Sequence, residues 1–128
     1  MSREKGNLGE DKACLFLSNN GYSIIERNFY SRFGEIDIIA SKDEVLHFIE
    51  VKSGLDYESA VSNITPSKLK KFIRTVDVYL KKNALNVDYM IDAVLVMPQE
   101  IELIQNITLW FRKLGFIHCK LLLNRTSI

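Results

Sequence analysis

Apolar residues in this chain follow two different spacings, and the switches between them outline the elements. Gly34-Glu35-Ile36-Asp37-Ile38-Ile39-Ala40 and Val45-Leu46-His47-Phe48-Ile49-Glu50-Val51-Lys52 are short runs rich in Ile, Val and Phe. Ser41-Lys42-Asp43-Glu44 between them is a turn composition, so the pair predicts a β-hairpin. Side chains alternate faces along a strand. Glu35, Asp37 and Ile39 should therefore share one face, and Leu46, Phe48, Glu50 and Lys52 one face of the partner. A four-residue turn pairs Ala40 with Val45 and sets Asp37 opposite Phe48. A two-residue shift sets it opposite Glu50. In either register Asp37 and Glu50 are direct or diagonal neighbours.

Around this hairpin the helical spacing takes over. Residues 1–5 read as a frayed tail. Asn7 is the expected N-cap of a first helix, with Glu10 placed as in a capping box and Asn19-Asn20-Gly21 as the stop. Leu8, Ala13, Phe16 and Leu17 supply its buried side. Glu10, Ala13, Cys14 and Leu17 fall at i, i+3, i+4 and i+7, which puts Glu10 on or beside the apolar stripe. Glu10 is then either the cap glutamate or a carboxylate reaching Asp37 and Glu50.

Residues 22–30 read as a strand, and Ser31-Arg32-Phe33-Gly34 turns it into the hairpin to give a three-stranded meander. Residues 53–63, with Gly54 and Ser, Asp and Asn punctuation, read as a loop. Thr65-Pro66 opens a second helix with a cap and a first-position proline. Leu69, Phe72, Ile73, Val76 and Leu80 are its expected buried stripe. Residues 89–97 form another buried strand, carrying Asp92. A helix followed by a strand is a crossover, so this strand is expected parallel to a meander strand, in a mixed α/β sheet flanked by helices. Residues 101–107 read as an edge strand and 108–114 as a short helix with Trp110 and Phe111. Residues 116–123 are apolar enough to be buried or to meet a partner.

Composition narrows the function. At 128 residues the chain is expected to be a single domain, residues 1–128. A net charge of +1 means that any polyanion binding must come from local clustering. Such a cluster exists on the second helix: Lys68, Lys70, Lys71, Arg74, Lys81 and Lys82 against Asp77. That face is either solvated or a surface that tracks a nucleic-acid backbone. Arg27 and Arg32 are open to the same two readings. Cys14, Cys119, His47 and His118 show no disulfide framework and no zinc spacing. No signal peptide or membrane span is evident, so a reducing cytoplasm is expected.

The chemistry concentrates in the hairpin. Its runs are too apolar for wet strands, and unpaired carboxylates there are costly. Asp37 and Glu50 would repel each other unless a proton or cation lies between them. A hard divalent ion with oxygen ligands, Mg²⁺ above all, suits such a pair. Lys52 lies roughly 7 Å from Glu50 along the same face. Its ammonium could orient water or steady a phosphate, or could simply pair with Glu50 or Asp37.

The order helix, three-stranded meander, helix, strand, with Glu10, Asp37 and Glu50-Val51-Lys52 in place, resembles the restriction-endonuclease-like (PD-(D/E)xK) nucleases. More narrowly it resembles the YraN-like family of small bacterial proteins, which are similar to archaeal Holliday-junction resolvases. The matching pieces are Gly9-Glu10-x-x-Ala13, Asn28, Gly34-Glu35-Ile36-Asp37-Ile38-Ile39, Phe48-Ile49-Glu50-Val51-Lys52 and Ile64-x-Pro66-x-Lys68, within about residues 6–97. Residues 108–128 form an extension beyond the resemblance.

The resemblance implies that Asp37, Glu50 and the Val51 carbonyl bind Mg²⁺ or Mn²⁺, that Lys52 assists catalysis and that Glu10 adds a carboxylate. It implies a metal-dependent DNA nuclease, with branched or damaged DNA among the substrates open to it, and a silent nucleic-acid-binding scaffold as the alternative. Arg32, Lys68, Lys70, Lys71 and Arg74 are the expected nucleic-acid contacts, and a homodimer is an open option. Two positions depart from the family pattern: Ser53-Gly54 stands where an Arg is usual, and Met90-Ile91-Asp92 where Arg-Phe-Asp is. Both remove positive charge and spare the carboxylates.

Overall fold

A mixed five-stranded sheet covered by helices on both faces forms the body of the computed structural model, which describes residues 2–109, with side chains from residue 8 onward. Its elements are α1 (Ser2–Asn19), β1 (Ser23–Ser31), β2 (Gly34–Lys42), β3 (Val45–Ser53), α2 (Tyr57–Val61), α3 (Pro66–Lys82), β4 (Tyr89–Val96) and β5 (Ile101–Ile104). Spatial order follows chain order, β1-β2-β3-β4-β5. All neighbours are antiparallel except β3 and β4, whose parallel pairing is closed by the α2–α3 crossover. The α/β class and the crossover are as expected.

The near-continuous apolar runs of β2, β3 and β4 are explained by burial on both faces. On one side Ala13 and Leu17 of α1 pack on Ile38, Ala40, Ile49, Val94 and Leu103. On the other, Leu69, Phe72, Val76 and Tyr79 of α3 pack with Phe29, Ile36, Ile39, Phe48 and Leu95. Phe29 and Phe48 each meet Tyr79 edge-on, with centroids 5.1 and 5.5 Å away. Thr75, which sequence periodicity left off the stripe, is fully buried and satisfied. Its hydroxyl donates to the Lys71 carbonyl and lies 3.0 Å from Ser31 Oγ. Ile73 and Leu80, expected on the stripe, only flank it half-buried.

Several local expectations are corrected. Asn7 is not an N-cap: α1 runs from Ser2 straight through it, the preceding Arg3-Glu4-Lys5 being residue types that a helix tolerates well. Leu8 is exposed rather than buried. The 53–63 segment is not all loop, because Asp56 caps the short α2 by accepting the Ser59 N–H at 2.8 Å. Gly54 makes that helix possible. A Cβ there would lie 2.6 Å from the Ala60 nitrogen. The β5 strand ends at Ile104, short of the expected 107, and a helical turn begins at 107. Trp110, Phe111 and residues 116–123 lie outside the described residues.

The hairpin turn is two residues, not four. Lys42 pairs with Val45, and Asp43 and Glu44 both have positive φ, 52° and 67°. This is the twist-matched turn that short hairpins favour. The register of the two-residue shift therefore holds, and the ladder from Ala40↔His47 to Ile38↔Ile49 extends toward Asp37 and Glu50.

One departure matters for function. Ile36 and Ile39 both pack toward α3, while Ile38 packs toward α1, so strict alternation fails at Asp37. In the paired strand, Arg27 reaches Asp11 of α1 whereas Phe29 packs on Tyr79 of α3. Between them Asn28 takes φ 55°, a conformation Asn tolerates better than most residues. Both strands roll over at this one level. Asp37 is thus not simply on the face of Ile39 and Glu35, as alternation would have it.

Candidate active site

The rollover opens a cleft at one end of the sheet. The regular β2–β3 ladder stops at Ile38↔Ile49, and beyond it the Val51 N–H donates to Asp37 Oδ2 at 2.8 Å instead of to a strand carbonyl. The space so made, about 330 Å³, is floored by Asp37 and Glu50 and walled by Glu10 of α1 and Lys68 and Lys71 of α3. Lys52 and Val51 also line it.

Electrostatics follow from that crowding. Asp37 is 8% exposed. Burial and then the Glu50 charge push its carboxyl up to about 8, against the opposing pull of the Val51 N–H. Burial raises Glu50 as well, opposed chiefly by Lys52, whose Nζ lies 3.0 Å from Glu50 Oε1. The pair is therefore poised to share a proton or a cation. Its donors are all oxygen and suit a hard ion such as Mg²⁺ or Mn²⁺. Among the described residues, no three His, Cys, Asp or Glu side chains are grouped as a ready-made metal cage. Any ion here would need backbone or water oxygens besides the two carboxylates.

Glu10 joins this floor by a route the sequence did not suggest. It caps nothing. Buried at 9% exposure, it accepts a 2.8 Å hydrogen bond from Asn28 Nδ2 and lies 3.6 Å from Arg27 Nη2. The same Asn28 amide donates to Glu35 Oε2 at 3.2 Å. Asn28 and Glu35 are the residues that sequence reasoning left without a role. The available signal was an Asn inside the strand run Ile24-Ile25-Glu26-Arg27-Asn28-Phe29-Tyr30, the residue type that marks a left-handed kink. Gly9 of α1 comes close to β3, and a Cβ there would lie 3.0 Å from Ser53 Oγ.

The expected nucleic-acid residues separate into groups. Lys68 and Lys71 face the cleft, while Lys70 and Arg74, with Lys71 again, line an adjoining shallow depression of about 410 Å³. Arg32 lies at the β1–β2 turn, its guanidinium 4.8 Å from the Phe33 ring centre. Arg27 is drawn away into a 2.8 Å ion pair with Asp11. Asp92 takes no part in the cleft: it is fully buried, accepts the Asn106 N–H at 2.8 Å and lies 2.6 Å from His47 Nδ1. No described helix is long and apolar enough to cross a membrane.

Fold and site together define a small mixed α/β protein with a buried Asp37, a half-buried Glu50 and a lysine at the floor of a cleft that Lys68 and Lys71 overhang. The chain belongs to the family described as "Uncharacterised protein family UPF0102", the YraN-like proteins, whose model matches residues 9–96 and so spans every residue of the cleft. It is 69% identical over 109 residues to a UPF0102 protein of Sulfurimonas denitrificans, covering 85% of this chain and all of that one. A UPF0102 protein of Aliarcobacter butzleri is 52% identical over 110 residues, again 85% of this chain and all of the relative. One from Helicobacter pylori is 54% identical over 106 residues, 83% of this chain and 92% of the relative.

Proposed function

We propose that this chain is a nucleic-acid-binding protein and a metal-dependent nuclease that hydrolyses phosphodiester bonds in DNA, branched or damaged DNA included. The observation that carries the reading is the pairing of buried Asp37 with half-buried Glu50, with Lys52 beside it, under walls formed by Lys68 and Lys71. The resemblance to restriction-endonuclease-like proteins in element order supports it.

Asp37, Glu50 and the Val51 carbonyl would hold Mg²⁺ or Mn²⁺, with Glu10 as a further carboxylate on the α1 side. Such an ion supplies Lewis-acid activation of the phosphate and of a water molecule. The chain's own residues do the rest. Lys68 and Lys71 receive the strand's phosphates, and Arg32, Lys70 and Arg74 extend that contact outward. Lys52 holds an ammonium where negative charge develops on the phosphate, a fixed partner that needs no reorganisation during reaction. Burial of the floor limits the screening of Asp37 and, in part, of Glu50 and Lys52 by bulk water, while the lysines and arginines of the walls stay exposed.

A second reading has its own support. The 3.0 Å Lys52–Glu50 pair satisfies both charges without substrate, and no three-ligand metal group stands ready among the described residues. Both suit a nucleic-acid-binding scaffold without turnover. The deciding experiment is cleavage of linear, flapped and four-way DNA with Mg²⁺ or Mn²⁺, by wild type and Lys52→Met. A nuclease cleaves at least one substrate, and Lys52→Met retains binding while losing a factor on the order of 10² in rate. Binding without cleavage on every substrate refutes the nuclease and leaves the scaffold. An unfolded Lys52→Met shows instead that the ion pair is structural, since a stranded buried charge is costly.

A further inference from the structure

Phe33 is an aromatic residue that the core does not use. The β1–β2 turn holds it up, with its N–H donating to Ser31 Oγ at 3.0 Å. It is only half-buried and belongs to neither apolar layer, whereas Phe29, Phe48 and Phe72 are all core residues. It lines the carboxylate cleft. Arg74, which lies against its ring, also lines the shallow depression of Lys70 and Lys71. Phe33 is therefore the lip between the acidic floor and the outer basic surface.

Two guanidiniums gather on this one ring. Arg32 Cζ lies 4.8 Å from its centre and Arg74 Cζ 5.2 Å. Among the described residues no carboxylate pairs with either, in contrast to Arg27 with Asp11. A ring with guanidiniums against it has the composition of a base-stacking platform, because planar cations and aromatic faces both take a nucleobase and the cations also attract its phosphate. In a continuous duplex the base faces are covered by their neighbours. A platform of this kind can be used only by a base that is already unstacked or easily flipped.

Resting on the proposed nucleic-acid function of the cleft, we infer that Arg32, Phe33 and Arg74 stack an unpaired base of the strand entering the cleft. The substrate class is then single-stranded or locally unpaired nucleic acid, and continuous duplex binds only through its phosphates. The lip sets which strand passes over Asp37 and Glu50.

The test needs no turnover. A single strand carrying one 2-aminopurine, and the same strand in a duplex, are titrated with the protein in EDTA and again with Ca²⁺. Wild type should change the 2-aminopurine fluorescence of the single strand and bind it more tightly than the duplex. Phe33→Leu should weaken single-strand binding by roughly 5- to 150-fold, the scale of one stacked base, and leave duplex binding unchanged. Phe33→Trp should restore it. Because Phe33 lies outside both apolar layers, the leucine variant should keep its circular dichroism.

Equal losses on single strand and duplex, or single-strand binding without a fluorescence change, overturn the platform while the nuclease reading stands. The expected stacking together with an absence of cleavage supports the platform and refutes only turnover. No nucleic-acid binding of any kind refutes both.

Discussion

Loading the carboxylate pair with a divalent ion should expel a proton, and the structure sets how much. Asp37 is pushed to about 8 by burial and by Glu50. At pH 7 a group titrating there is about nine-tenths protonated, and at pH 9 about one-tenth. An ion held by Asp37 requires the ionised carboxylate, so binding should release about 0.9 proton at pH 7 and about 0.1 at pH 9. Calorimetry of Mn²⁺ binding in two buffers of different ionisation enthalpy reads this number directly. Without metal, the folded chain keeps between about pH 4 and pH 8 a proton that the unfolded chain has lost. The stabilisation that this proton represents is complete below pH 4 and is lost as pH rises through 8. The slope of that loss is about 1.4 kcal/mol per pH unit. Metal-free protein should therefore melt lower at pH 8.5 than at pH 6, and Mn²⁺ should restore most of the difference. Asp37→Asn should remove the part of the proton release and of the pH-dependent melting that Asp37 supplies, leaving what the raised Glu50 contributes, and should bind the ion far more weakly, as should Glu50→Gln. Binding without proton release, or equal affinity in wild type and both variants, would refute the shared-ion reading.

Two further outcomes can be measured without cleavage. Replacing Lys68, Lys70, Lys71 and Arg74 together by Ser should lower the slope of log affinity for duplex DNA against log salt by about 3 to 4. Thermal stability should hardly change, since all four residues are exposed, and an unaltered slope would mean that this face is merely solvated. Gly54→Ala should cost about 2 kcal/mol or more, because its Cβ would meet the Ala60 backbone at 2.6 and 2.9 Å. An unshifted melting midpoint would show that α2 is not held there.

Much of this arrangement was legible in the residues, and the parts that were not share a cause. Thr65-Pro66 fixed the start of α3 because cap and first-turn chemistry are local, and Thr65 Oγ1 does accept the Lys68 N–H at 3.2 Å. Unbroken apolar runs foretold burial on both faces. Asn7 misled because its cap chemistry is equally local, yet the helix formers before it carried the helix on. The turn length stayed open because Ser41 to Glu44 all suit turns, and only pairing across the hairpin selects Asp43 and Glu44. The rollover at Asn28 and Asp37 was hidden for a deeper reason. Alternation is a rule about one strand, whereas the break exists only as a matched change in two. Glu10 reached its place by a similar non-local route, through an amide 18 residues away.

That break also explains why an acidic floor can sit under basic walls. Glu10, Glu35, Asp37 and Glu50 all come to the cleft, against Lys52, Lys68 and Lys71. Asn28 ties Glu10 to Glu35 with a neutral amide, so it orders two of those charges without cancelling either. Arg27, the cation that meets Glu10 among the described residues, is shared with Asp11. A phosphate drawn in by Lys68 and Lys71 would still meet an excess of carboxylates around the floor, where Lys52 offsets Glu50 alone. Charge there must fall before a strand can settle, by a proton on Asp37 or by a cation between Asp37 and Glu50. Only the cation leaves both carboxylates ionised while making the floor attractive to a phosphate. In the proposed function, metal affinity and nucleic-acid affinity are therefore one coupled quantity, each raising the other by the same factor.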